Sequence, residues 1–498
     1  MFDVAIIGCG PVGALAANLL GRQGLSVVVV EKETDHYPLP RAVHLDHEMM
    51  RLFQSAGVID RVEPDMVATD GHLHVGADHG VIRYMGTVGK PRPFGWANDY
   101  FFYQPEFEAH LRAAFACNGR IGLLLGAEFL SLSQDEDGVT VTYAQDGAQR
   151  SLSARWVIGA DGSRSPVRKA LGIGLEDLDF EEPWLVVDTE VDGPVTFPPI
   201  TGLPEGADLQ RLSVMMCDPV RPATVVPGRG NHRRWEFMLL PHEDDAEMMR
   251  SEKVAALIGA WMKDVPHTIV RAATYRFHAL LAEQWQIGRV FLAGDAAHQT
   301  PPFFGQGMCH GLRDAANLAW KMAAIVNDGA DEAILETYQP ERDPHVRGVI
   351  GAAVAAGRYI CELDPAKAAA RDAAIRAQSA LNAGETAAEL IPALSAGFIL
   401  TGTPAAGTRF IQPVLSDGRK LDDLTGQGWR LFVRSSEADV GIAADKLPDH
   451  GAVAAWLDTH SVQAVLVRPD HYVFGTGKAA DLVAARDRML GLRQEQAA

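Results

Sequence analysis

The chain has 498 residues, 47% of them hydrophobic and 22% charged, enough for two or three globular domains. A formal net charge of −19 argues against nucleic acid as a partner, and no apolar run reaches the roughly 18 residues of a membrane span. Five cysteines, at positions 9, 117, 217, 309 and 361, form no C-x-x-C pair and no metal spacing. With no basic leader ahead of the first strand, reduced thiols in a cytoplasm are expected.

Phe2 to Ile7 is a short apolar run, followed by Gly8-Cys9-Gly10-Pro11-Val12-Gly13, a helical pattern, and a second apolar strand, Leu25 to Val30, ending in Glu31-Lys32. In this βαβ setting each glycine has a task. Gly8 permits the tight turn, Gly10 lets the backbone approach a pyrophosphate, and Gly13 lets the helix pack on the sheet. The helix N-terminus offers unpaired N–H groups to the phosphates, and Glu31 is placed to accept from a ribose diol.

Pro38 to Ala42 makes an extended entry that carries Arg41, with His44 close by, before a helix from about Asp46 to Gly57. Residues 65–100 read as short strands and loops. Gln104 precedes a helix from Glu106 to Cys117, and segments 127–133 and 138–144 form a hairpin across Gln134-Asp135-Glu136-Asp137-Gly138. The strand Trp156 to Gly159 runs into Ala160-Asp161-Gly162, which puts a carboxylate where ligands of α/β sheets collect.

Between 175 and 285, β-rich runs (Leu185 to Val191, Leu212 to Met216, Trp235 to Leu240) predict a second sheet, with one amphipathic helix from about Asp244 to Met262. A third landmark follows: strand Arg289 to Ala293, turn Gly294-Asp295-Ala296-Ala297-His298, loop Pro301 to Met308, and a helix from about Cys309 to Val326. The glycines allow a planar ligand to lie against backbone, and the helix aims its positive end there. An Ala-rich helix is expected over 366–392, a linker at Pro404 to Gly407, and then strands Trp429 to Val433 and Ala464 to Val467. A helix near 451–458 and a final one from about Ala479 complete a small α/β appendage without cysteine.

The three glycine-and-carboxylate landmarks together resemble the fingerprints of the single-component flavoprotein aromatic hydroxylases, which have the p-hydroxybenzoate hydroxylase fold; the likeness covers roughly residues 1–360. Arg41-Ala42, Tyr103-Gln104-Pro105-Glu106, Pro302 to Cys309 and Arg313 to Leu318 are most similar to the 3-(3-hydroxyphenyl)propionate hydroxylase and phenol 2-monooxygenase branch. The tail, with its Arg468-Pro469-Asp470 turn, resembles the thioredoxin-like C-terminal domain of that branch.

The resemblance implies an α/β fold in which a Rossmann-like FAD-binding domain (1–174 and 286–365) is interleaved with a substrate-binding β-sheet domain (175–285). A helical connection (366–403) leads to a thioredoxin-like domain (404–498) that serves packing or dimerisation in relatives, which leaves a homodimer open. It implies that Gly8, Gly10, Pro11, Val12, Gly13, Glu31 and Lys32 hold the ADP half of FAD. Arg41 and Gln104 would flank the pyrophosphate and ribityl region, Asp161 would serve FAD and transient NADH or NADPH, and Gly294 and Asp295 the ribityl chain. Pro302, Gly305, Gln306, Gly307 and Met308 would border the isoalloxazine. The implied reaction transfers one atom of O2 from a flavin C4a-hydroperoxide to a phenolic ring, a 3-(3-hydroxyphenyl)propionate-like acid being favoured.

Two departures matter: Cys309 stands where many relatives carry Asn, and Val43 stands where the phenol-hydroxylase branch has Asp. The base that activates the phenol is therefore not transferable, and His44, His298 and Tyr275 are the candidates. Arg211, Arg233 and Arg234 are candidates for a substrate carboxylate. The absence of a second G-x-G-x-x-G argues against a two-dinucleotide reductase. A polyketide- or pyridine-type oxygenase on the same scaffold and a non-catalytic FAD-binding module are the competing readings.

Overall fold

Phe2–Ile7 is apolar throughout and lies between two parallel neighbours, Val27–Val30 and the end of Ala148–Gly159, as befits a strand covered on both faces. In the computed structural model, which describes the chain except for residues 37, 382–390, 435–440, 450 and 493–498, this strand sits inside an eight-stranded sheet. Its main path runs Gln286–Ile287, Val290–Leu292, Ala148–Gly159, Phe2–Ile7, Val27–Val30, Ile121–Leu124. The predicted hairpin, observed as Glu128–Gln134 and Val139–Gln145, extends the first half of Ala148–Gly159. The helix Pro11–Arg22 has proline at its first turn and buries Ala14, Ala16 and Ala17, small residues that let it lie close to the sheet.

A second eight-stranded sheet has the order His298–Gln299, His267–Ala282, Leu175–Val191, His232–Met238, Ala223–Pro227, Ser213–Met216, Gly71–Val75, Val81–Gly86. It takes in 71–86, which the chain-order division assigns to the FAD-binding part. Ser213–Met216 pairs in parallel with Gly71–Val75, a long-range match that no local pattern announces. One face packs a core of Leu185, Val187, Val214, Val225, Trp235 and Phe237 under Val254, Ile258 and Met262. The helix expected over 244–262 is two, Asp245–Met248 and Ser251–Met262, because Arg250 is extended and restarts the chain.

The last sheet, Ile442–Ala443, Arg430–Val433, Ala464–Val467, Val473–Gly477, carries helices Ala452–Thr459 and Ala479–Met489 and is the thioredoxin-like domain. Pro404 to Gly407 is no free linker. The N–H of Gly407 donates to Val473 O at 2.9 Å, and a Cβ there would fall 2.0 Å from Leu394 O. The Ala-rich helix is observed as Pro365–Leu381, and the rest of that expectation lies outside the described residues.

Buried ion pairs bind this domain to the rest. Arg51 grips Asp422 through Nε at 2.7 Å and Nη2 at 2.9 Å, and Arg468 reaches Glu341 at 2.7 Å. Burial raises the Asp422 carboxyl, but Arg51 and Arg430 outweigh it and hold it well below the carboxylate range. Among the described residues no helix is long and apolar enough to cross a membrane.

Candidate active site

The three landmarks meet. Gly8 has φ +100°, and a Cβ there would stand 2.4 Å from Ala160 O, so the glycine turn lies directly on the Ala160-Asp161 corner. A Cβ on Gly13 would fall 2.0 Å from Gly8 O, whereas one on Gly10 would meet nothing within 4 Å: this glycine faces open space. Gly294 (φ +62°) approaches Val12, whose Cγ2 would be 2.9 Å from an added Cβ. Glu31 accepts from the Cys9 N–H at 2.6 Å and from the Glu33 N–H at 2.9 Å, which fixes its carboxylate beside the turn. Lys32 sits at the surface, 3.6 Å from Glu33.

Gln104 holds the Arg41 loop, its Oε1 accepting from the N–H groups of Arg41 at 2.9 Å and Ala42 at 2.7 Å. Asp161 accepts from Ser165 Oγ at 2.6 Å and the Val167 N–H at 2.9 Å, so its carboxylate serves the short helix Pro166–Ala170. Asp295 differs from both. Its side chain is accessible, yet the enclosing protein raises its carboxyl, with His298 and Arg41 acting against that. A carboxyl that solvent reaches but protein surrounds opens onto a cleft. That cleft, the open space at Gly10 and the glycine-lined turn fit the pyrophosphate and ribityl chain of FAD.

The loop after Asp295 packs against His44, one of the three candidate bases. Gly305 has φ +63°, and a Cβ there would lie 2.5 Å from His44 Nδ1. Only glycine lets the Pro302–Phe304 turn sit against the His44 ring. Gln306, Gly307 and Met308 then lead into the helix Gly307–Asp328, and Cys309 is buried beneath with its thiol pushed well up by burial.

His44 lies on a three-residue strand, His44–Asp46, paired antiparallel with Asp99–Phe101. Its Nε2 is 3.1 Å from Asp99 Oδ1 and its Nδ1 is 3.5 Å from Gly305 O. Burial lowers the imidazole, but the hydrogen bond and charge of Asp99 outweigh it, so His44 stands above the ordinary histidine value. Burial likewise raises Asp99, and His44 pulls it below the carboxylate range. An ionised Asp99 only accepts, so Nε2 carries a proton, while Nδ1 packs against the Gly305 backbone, 3.5 Å from its carbonyl oxygen. Beside it, at a ring separation of 5.1 Å, His72 is pushed down to about 4 by burial and His44, and stays neutral.

His298 is not available. It is fully enclosed, with Nε2 2.7 Å from Asp314 Oδ2 and its ring against Trp285, in a cluster that Arg342 completes at 2.8 Å from Asp314. Tyr275 faces inward opposite Trp184 with Arg271 over its ring, but its strand is five removed from that of His72, roughly 24 Å at strand spacing, so it is not brought to His44.

The arginine candidates fail similarly. Arg211 is an exposed partner of Asp70, and Arg233 points to the sheet's other face and Gln210 O. Arg234 is held by Asp188 at 2.8 Å and by the carbonyls of Arg41 and Pro40. Sequence reading misses Asp99, which is 55 residues from its partner in a segment without periodicity.

The comparisons agree with this geometry. The FAD binding domain family matches residues 1–353, and the HcaD C-terminal domain family matches 445–492. A 3-(3-hydroxy-phenyl)propionate/3-hydroxycinnamic acid hydroxylase of Burkholderia cenocepacia (strain HI2424) is 35% identical, covering 100% of this chain and 98% of its own. A probable NADH-specific resorcinol 4-hydroxylase of Rhodococcus jostii (strain RHA1) is 34% identical over 97% of this chain and 95% of its own. In fold, the chain is similar to aklavinone-11 hydroxylase with FAD and aklavinone (TM-score 0.77, 24% identity, 98% and 99% of the two chains). It is also similar to the flavin-dependent monooxygenase PieE with FAD and substrate (TM-score 0.80, 23% identity, 99% of each). The chain belongs to the single-component FAD-dependent aromatic hydroxylases, monooxygenases that use NAD(P)H and O2 on phenolic rings.

Proposed function

We propose that the chain hydroxylates a phenol carrying a substituent meta to its hydroxyl group, with His44 as the base that takes the phenolic proton. The single observation that carries this is the His44–Asp99 pair, whose other ring nitrogen, Nδ1, lies at the Gly305 loop, 3.5 Å from the Gly305 carbonyl oxygen. The substrates named for the two relatives, 3-(3-hydroxy-phenyl)propionate and resorcinol, are both phenols of this kind and support the reading. A place in the breakdown of aromatic compounds in the cytoplasm accords with such a substrate.

Bound FAD supplies the activation of O2 at the expense of NAD(P)H. The chain's own residues bind, orient and deprotonate. Nδ1 of His44 accepts the phenol proton, Asp99 steadies the imidazolium that forms, and the phenolate pushes electron density onto the ring carbon that is attacked. The glycine turn at 8–13 and Glu31 hold the ADP half, and the N-terminal end of Gly307–Asp328 favours negative charge on the ring system. Phe303 and Trp184, 5.9 Å apart, close one side against water.

A screen of meta-substituted phenols for coupled NAD(P)H and O2 consumption, with product identification, tests the reading. A dihydroxy product is expected, and coenzyme oxidation yielding only peroxide with every phenol overturns it. For the ribityl contact, Asp295→Ala is expected to weaken FAD binding about ten- to a hundredfold. The melting temperature of the flavin-free protein should not fall, because among the described residues no group is hydrogen-bonded to that carboxylate. Flavin content unchanged after purification would remove Asp295 from the site.

A further inference from the structure

The inner face of the second sheet, which looks toward His44, carries a titratable side chain, Glu236, that the proposed reaction leaves unused. Leu185, Val187, Trp235 and Phe237 point to the opposite core, so Trp184, Val186, Asp188, Arg234, Glu236 and Met238 point inward. Glu236 lies opposite Val186 on one neighbouring strand and Thr224 on the other. Two residues along, the next row runs from Arg234 across Val226 and Ser213 to His72, which the His44 ring touches.

Val226 packs on Val43, the residue before His44, so Glu236 lies one row from the floor beneath the base. Its side chain is half-buried and has no hydrogen-bond or ion-pair partner among the described residues. Burial raises its carboxyl, with Arg234 opposing and Asp188 adding.

We propose that Glu236 is the specificity residue of this site: its carboxyl group hydrogen-bonds a second hydroxyl on the substrate ring, so an uncharged dihydroxybenzene is taken in preference to a phenolic carboxylate. This rests on the reading of the chain as a phenol hydroxylase. A carboxyl group accepts from a ring hydroxyl in either protonation state. Among the described residues, the arginines of this face are already engaged, so a carboxylate brought to the same place finds none turned toward it. Arg234 is bonded to Asp188 and to the carbonyls of Arg41 and Pro40, and Arg271 donates to Pro40 O at 2.6 Å. Arg83, on the same face at the far edge, bonds the Tyr359 hydroxyl. Leaving an anion desolvated and unmatched is the costly outcome.

The test is calorimetric titration of the FAD-loaded protein with resorcinol, phenol and 3-(3-hydroxyphenyl)propionate. Wild type is expected to bind resorcinol about tenfold more tightly than either other ligand. Glu236→Leu should bring resorcinol down to the level of phenol, while the isosteric Glu236→Gln, which keeps a donor and an acceptor, should hold it within about threefold of wild type. Tighter binding of the phenolic acid by wild type, or an equal loss of all three ligands in Glu236→Leu, overturns the proposal. Product analysis separates it from the parent reading. Resorcinol preference that follows Glu236 without any hydroxylated product leaves the assignment standing and removes the hydroxylase function.

Discussion

Replacing His44 with alanine is expected to lower formation of hydroxylated product by about 10²–10⁴-fold, the range for a lost general base, with FAD content unchanged. The pH profile gives the sharper result. A base works unprotonated, and His44 is held above the ordinary histidine value because Asp99 outweighs burial. Product formation should therefore rise with pH through an apparent pKa above the roughly 6.5 of free histidine and flatten beyond it.

Asp99→Asn removes the charge while keeping a hydrogen-bonding group. Burial then acts with little opposition, and the limb should move to lower pH. At the same time the imidazolium formed in the reaction loses its counter-charge, so the plateau should drop. A displaced limb with a lower plateau is the signature of this pair; a purely structural role for Asp99 would lower the rate at every pH alike. Product formation in His44→Ala within about threefold of wild type across the range would dismiss the base.

How much of this was legible in the sequence follows from the range of the forces involved. Gly8, Gly10, Gly13 and Glu31 meet within one βαβ unit, so turn chemistry and spacing alone announce them. The turn at Gly294-Asp295 is likewise local, as is the long helix after it. His44, the proposed base, takes its partner from a three-residue strand 55 positions away, held by a pairing too short to leave a period. Glu236 hides differently: Trp235 to Leu240 reads as a strand, but only the sheet decides which alternate residues face the outer core and which face inward. The arginines show the converse error. Arg234 looks like a free cation in sequence and is in fact bonded to Asp188 and two carbonyls, a fate fixed by strands that meet only in the folded sheet.

Arg313→Met is the substitution expected to cost most stability, about 3–5 kcal/mol, or roughly 3–5 °C in melting temperature for a chain of this length. The guanidinium is buried and donates to Glu48 at 2.9 Å, to Asp46 at 2.6 Å and to Gln306 at 3.1 Å. Asp46 ends the strand that carries His44, Gln306 belongs to the flavin loop, and Glu48 also accepts from Tyr472 at 2.9 Å and from Arg409 of the C-terminal part. One cation thus ties base, loop and C-terminal domain together.

The sign of the pH dependence separates lost charge from lost packing. Burial raises Asp46 and Glu48, but Arg313 with Arg409 and other neighbouring charges holds both below their unfolded values. Their contribution is therefore complete above the unfolded carboxylate values near 4 and is lost as pH falls toward the depressed ones. Without Arg313 burial prevails, both carboxyls move upward, and ionising them at neutral pH costs stability instead. The deficit of Arg313→Met relative to wild type should be widest near pH 7 and narrow below about pH 4. Thermal scans across that interval check this, and a deficit independent of pH would assign the loss to packing alone and remove the ion cluster as the tie.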